Sequence, residues 1–202
     1  MATFQDETSI VGSPLVGFNP GWVNLRRRFM DPFVELARFT IQYFTWHKQP
    51  PSRISDEIHQ ALSGQRAATF VSIHTLEGEL RGCKGTLEPL HDTVEEEVIS
   101  NAISACSRDP RFSPIQEDEL DHLEIHVDVL SAMEPIRSPA ELDVRQYGVL
   151  VSTPDGRRGV LLPDIEGIDT VEDQIAIACR KAGIQPRREV FTMERFTTVR
   201  HR

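Results

Sequence analysis

The stretch ELRGCKGTLEPL, residues 79–90, sets Cys83 between two glycines and two cations. A thiol near positive charge ionises more readily and becomes a nucleophile, so Cys83 is a candidate catalytic residue. Arg81 presents a planar fork of donors suited to a carboxylate or phosphate. If the stretch is a strand, Arg81, Cys83 and Gly85 share one face, while Gly82, Lys84 and Thr86 share the other. A two-residue turn at Glu77-Gly78 then pairs Ser72 with Cys83 and His74 with Arg81, which makes His74 the plausible local base. Glycines beside the thiol leave it uncovered, and glycine within a strand often marks close approach by a ligand or another backbone. Against this stands the plain account of Cys83 as a small buried hydrophobe in a tight hairpin. A non-covalent binding role, carried by Arg81, Gly82, Gly85 and Thr86 around the thiol, is a third reading. All three stay open on the sequence.

Other residues are weighed in the same way. Asn101 sits at the edge of a buried helix face, where its amide either reaches the Cys83 site or bonds a backbone group. In "DPRF", Asp109, Arg111 and Phe112 make a helix stop with an ion pair and an apolar plug, while Arg111 is also a candidate anion anchor. His126 and Asp128 alternate on one strand face, but two ligands without a third make a poor metal site, and a solvated face is expected. No metal or cofactor is expected. Glu95, Glu96 and Glu97 fall in a first helical turn, where carboxylates complement the helix dipole. Cys106 and Cys179 lie in apolar helices and are read as structural.

The elements that must position these residues follow from patterning. Asp31 is the expected N-cap of a helix with Pro32 first, because Phe33, Leu36, Ala37, Thr40, Ile41 and Phe44 recur at helical spacing. A short helix near Ser55 to Leu62 follows. The strand "ATFVSIHT" and the strand "ELRGCKGT" then precede a helix opening at Thr93, with Val94, Val98, Ala102 and Ala105 inward. The strand "LEIHVDVLS" puts Leu123, Ile125, Val127 and Val129 on one face. After a linker with a capping box at Ser138 and Glu141, the order returns: strand "YGVLVST", turn "PDGR", strand "RRGVLLP", a helix from about Thr170, and a final strand "EVFTMERFTTV". Arg81-Gly82 recurs as Arg158-Gly159, with Val160 at the place of Cys83. The expected fold is α+β with mostly antiparallel sheet, a ββαβ unit duplicated over about 66–131 and 147–199 within one domain of residues 31–202, and an N-terminal arm over residues 1–30.

The chain has 202 residues, 39% of them hydrophobic, ample for one core. Its net charge of −9 opposes broad attraction to nucleic acid, and the Arg26, Arg27, Arg28 run is too short for a basic patch. No run reaches the roughly 18 apolar residues of a membrane span. Three cysteines without CxxC spacing argue against a disulfide framework or thiolate zinc site. A cytoplasmic protein with neither membrane nor nucleic-acid partners is expected.

"LRGCKGTLEPL", then "EEEVISNAISACSRDPRFSPIQEDELDHLEIHVDVLS" and "YGVLVSTPDGRRGVLLP", resembles the family named for the AMME chromosomal region candidate gene one, in colinear order from about Phe33 to Phe196. Its prokaryotic members look like protein A of the AmmeMemoRadiSam set. The resemblance implies an α+β domain with an internal repeat, gene-neighbourhood association with Memo-like and radical SAM proteins, and no settled activity. Lys84 departs from the apolar residue the family pattern implies, and "PDIEGID" is shorter than the corresponding segment of relatives. The leading functional reading is an accessory protein whose cleft around Arg81, Gly82, Cys83 and Gly85 holds a small molecule or a partner's segment. The alternative is a thiol enzyme, or enzyme subunit, using Cys83.

Overall fold

Asp31 accepts a hydrogen bond from the Phe33 amide and Pro32 takes the first turn, so helix α1 (Pro32–His47) begins where Asp-Pro predicts. A computed structural model describes residues 30–202; the expected N-terminal arm and the Arg26–Arg28 run lie outside the described residues. Asp31–Arg202 clusters as one compact unit. Helix α2 (Asp56–Leu62), capped by Ser55, follows, then strands β1 (Thr69–Thr75) and β2 (Leu80–Gly85), helix α3 (Val94–Ser107), a 3-10 turn (Glu117–His122) and β3 (Leu123–Leu130). The remainder is β4 (Glu134–Ile136), β5 (Gly148–Ser152), β6 (Arg158–Leu161), α4 (Val171–Lys181), β7 (Thr192–Phe196) and β8 (Thr198–His201). The fold is mixed α+β, with every strand pair antiparallel.

Two four-stranded sheets form, in the orders β2-β1-β3-β8 and β4-β7-β5-β6. Their central strands follow the same plan, since β2-β1-β3 matches β6-β5-β7. The outer strands are exchanged: β4, which follows β3, joins the second sheet, and β8, which follows β7, joins the first. This corrects the single final strand expected from "EVFTMERFTTV", which divides at Thr197 into β7 and β8 of different sheets. The short β4 was not anticipated, because three residues around a proline carry no alternation to read.

Helices α1 and α3 bury Leu36, Ile41, Val94, Val98 and Ala102 against Val71, Ile73, Ile125 and Val127 of the first sheet. Truncating a side chain as enclosed as Leu36, with none of its surface exposed, removes about 2–5 kcal/mol. A second core under α4 gathers Val149, Val151, Leu161, Ala178 and Cys179. A smaller apolar cluster joins the two sheets, bringing Phe70 and Leu130 of the first together with Phe196 and Val160 of the second.

Candidate functional site

The hairpin carrying Cys83 is built differently from a two-residue turn, though it reaches part of the same pairing. The Thr75 amide bonds the Glu79 carbonyl at 2.9 Å, so Leu76, Glu77 and Gly78 form a three-residue loop, with Gly78 at φ 87° where glycine is favoured. His74 therefore faces Leu80, and a bulge at Arg81 restores the register, so that Ile73 faces Gly82 and Ser72 faces Cys83. Arg81 Nε and Nη2 donate to the two Glu119 oxygens at 2.6 and 3.0 Å, and Nη1 donates to the Ser113 carbonyl at 2.8 Å. Arg81 is thus committed to the segment between α3 and β3, and Leu80 takes the place opposite His74 that was expected of Arg81.

The glycines serve packing. A methyl at Gly82 would lie 2.4 Å from the Ala105 carbonyl oxygen of α3, and one at Gly85 would lie 2.3 Å from the Phe70 ring. Gly82 therefore turns to the helix-covered face, and Cys83 turns to the opposite face of the sheet with Ser72. That face also carries His126 and Asp128.

Asp109 fixes the strand at this point. Its Oδ2 accepts from the Cys83 amide at 2.9 Å and from Arg111 Nη2 at 2.7 Å, while Oδ1 accepts from the Arg111 amide and Nε at 3.1 and 3.0 Å. Pro110 between them sets the turn. The Arg111 guanidinium, together with the Cys83 amide, holds the buried Asp109 carboxyl well below the usual carboxylate range, against the opposing effect of burial.

Cys83 itself is half-buried and free. Burial pushes its pKa up, Arg111 opposes that, Asp109 and Asp128 add to it, and Lys181 opposes it. The result is a protonated thiol at neutral pH rather than a thiolate. Lys181 ends α4 in the other half of the domain, and its Nζ donates to the Val160 carbonyl at 3.1 Å. Desolvation lowers the Lys181 pKa, Cys83 opposes the shift, and Arg111 adds to it by like-charge repulsion. Arg111 and Lys181 are thus the cations that bear on the thiol. His74 lies nearer the turn, its ring 5.1 Å from that of His126, and is not among the groups that shift Cys83.

The other candidates are placed as follows. Asn101 donates to the Thr69 carbonyl and hydroxyl at 3.0 Å, ordering the start of β1 from within the core. Thr86 donates to Glu97, whose other oxygen accepts from the Leu90 and His91 amides at 2.8 and 3.0 Å. Glu95, Glu96 and Glu97 lie in the first turn of α3 as expected, and Glu97 is fully buried and Glu95 nearly so. Asp128 is likewise buried, gripped by Arg200 at 2.8 and 3.2 Å, so the strand face it shares with His126 is not solvated. Among the described residues no group of three His, Cys, Asp or Glu side chains comes together as a metal site. Likewise among them, no helix is long and apolar enough to cross a membrane.

Residues 34–201 match the family model described as AMMECR1. The chain belongs to the AMMECR1 family. It is 43% identical over 174 residues to a protein of Thermotoga maritima, covering 85% of this chain and 97% of that one. A Clostridium acetobutylicum protein is 38% identical over 177 residues, 88% of this chain but 37% of its own length, so the domain there sits within a longer protein. The crystal structure of an uncharacterised protein from Pyrococcus horikoshii shares the fold, with a TM-score of 0.75 at 28% identity over 83% of this chain and 88% of that one.

Within this AMMECR1 domain, sequence reasoning missed Lys181 and the structural weight of Glu97 and Asp128. Glu97 had a signal: it lies three residues after Val94 and four before Asn101, on the buried stripe of α3. Lys181 had none, since its proximity to Cys83 arises from packing between halves.

Proposed function

We propose that this AMMECR1-family protein is a binding protein whose ligand, a small anion or an acidic segment of a partner, docks on the sheet face around Cys83. One observation carries the reading: Arg111, held by the same Asp109 carboxylate as the Cys83 amide, and Lys181, whose Nζ bonds the Val160 carbonyl in the other half of the domain, are the cations that bear on a half-buried thiol. Arg111 is paired with Asp109, so the net positive charge that favours an incoming negative group comes from Lys181, which makes no ion pair among the described residues. The Memo-like and radical SAM proteins implied by the resemblance are the first partners to try. Three free thiols suit a reducing cytoplasm.

The test is mass spectrometry of molecules or segments co-purifying with the wild type and with Lys181→Gln. An anionic ligand retained by the wild type and lost from the variant is expected; equal retention overturns the reading. A second reading, a thiol enzyme, draws on the same two cations, because both favour the thiolate. Alkylation with iodoacetamide near neutral pH separates the two. Slow labelling of Cys83 is expected for the binding role, whereas rapid labelling confined to Cys83 establishes an activated nucleophile.

A further inference from the structure

A second polar surface lies across the same sheet face, at the opposite edge from β2. Thr198 and Arg200 alternate along β8 and share one face of this edge strand, and Arg202 follows immediately after it. Asp128 pairs with Arg200 directly across the ladder, and Asp128 is on the face that carries Ser72 and Cys83. The β8 residues form one wall of a cavity of about 410 Å³. Arg145 and Gln146, just before β5, and Pro163 and Asp164, just after β6, complete it. The two loops of that second wall are tied together by the Asp164 amide bonding the Val144 carbonyl at 2.8 Å.

The cavity is cationic in a chain whose net charge is −9. Three guanidiniums line it against one carboxylate, Asp164. Arg200 is held in place by the buried Asp128, which takes its Nε and one Nη2 bond and leaves three of the five guanidinium N–H groups free. Arg202 follows His201, whose ring is fixed to Asp31 at 2.7 Å and packs on Phe33 at 4.2 Å between centroids. Among the described residues, neither Arg145 nor Arg202 makes an ion pair. Arg145 and Arg202, set beside Arg200 around a concave space with no ion-pair partner of their own among the described residues, repel their neighbours unless an anion joins them.

We infer that this arginine-lined cavity is a binding site for a small phosphate-bearing molecule, at the edge of the sheet opposite Cys83. The planar forks of Arg145, Arg200 and Arg202 suit the several oxygens of a phosphate better than a single carboxylate. The volume lies within the range of small-molecule sites and exceeds what inorganic phosphate fills, which leaves room for an organic remainder. Pro163 is the one apolar residue among the described lining residues.

Isothermal titration of the full chain with pyrophosphate tests the site, using Arg145→Gln with Arg202→Gln and, separately, Lys181→Gln. Arg200 is left intact because its loss would strip the buried Asp128 of its partner. Saturable binding that weakens with salt, falls about tenfold or more in the double variant and is unchanged in Lys181→Gln is expected. Absence of saturable binding, or affinity unchanged in the double variant, overturns the inference. So does loss in Lys181→Gln, which would assign the anion to the Cys83 face. Thermal melts confirm that the double variant is folded, and Arg145→Gln alone serves if it is not.

Discussion

The two hairpins of the domain solve one packing problem with the same residues and then diverge. Gly82 lies against the Ala105 carbonyl of α3, and Gly159 lies against the Ala178 carbonyl of α4, where a methyl would come within 2.4 and 2.0 Å respectively. One turn earlier on each helix an amide ties down the start of the first strand: Asn101 bonds the Thr69 carbonyl at 3.0 Å and Gln174 bonds the Tyr147 carbonyl at 2.8 Å. A shared packing problem is enough to account for this likeness. The next residue separates the halves. Val160 is absorbed into the apolar cluster between the sheets, whereas Cys83 is clamped through its amide by Asp109 and left half-buried beside Arg111. Common geometry therefore marks scaffold, and the departure from it at Cys83 marks where the proposed site lies.

The sharpest way to break this comparison is to remove the shared device. Gly82→Ala and Gly159→Ala should each destabilise the domain by about 3 kcal/mol, because the added methyl meets backbone that cannot yield, and Gly159→Ala should be the worse. Urea unfolding curves measure both, and a loss in one half only would show that the two contacts are not equivalent.

A smaller effect distinguishes the arginines before these glycines. Arg81 makes a two-pronged, largely enclosed pair with Glu119, whereas Arg158 meets Glu88 at 3.2 Å with both side chains well exposed. Arg81→Lys should cost about 1–2 kcal/mol by thermal melting, and Arg158→Lys no more than about 0.5 kcal/mol. Equal losses would return the two arginines to equivalent roles.

The clamp at Cys83 has no counterpart at Val160, and pH exposes it. Asp109 is depressed below its unfolded value, so the stability it contributes is complete above the ordinary aspartate pKa of about 4 and is lost as pH falls further. The melting-temperature gap between wild type and Asp109→Asn should narrow from about pH 6 to about pH 3. A gap that widens on acidification would contradict the ion-paired carboxylate.

The smallest change is expected at Lys84, which shares the Gly82 face of the edge strand β2. Lys84→Ile should shift stability by no more than about 0.5 kcal/mol and leave Cys83 alkylation unchanged. A large change in alkylation would place Lys84 among the groups that act on the thiol.

Local signals in the sequence were sufficient for the helices and most strands. Asp31-Pro32, Thr93 and Thr170 mark helix starts because their side chains or rings satisfy requirements within one turn. The pairing of Ser72 with Cys83 was also readable, although the route to it was not: a three-residue loop and a bulge together shift the register by the same amount as a two-residue turn. Arg81 was misplaced for that reason, since a bulge depends on what the extra residue can reach, here Glu119 some distance along the chain. Nor could alternation within β7 and β8 reveal the exchange of outer strands, because each strand's period is the same whichever sheet receives it.

The sequence alone determined the family, the α+β class, the helices and most of the strands in their order, all of which rest on residue identity and short-range spacing. Only the tertiary structure decided which charges surround the thiol. Lys181 bears on Cys83, and Arg145 shares a cavity with Arg200, because two halves pack across an apolar cluster led by Phe70 and Phe196. Electrostatic neighbours fall off with distance in space, and nothing in spacing along a chain records the distances that this packing creates.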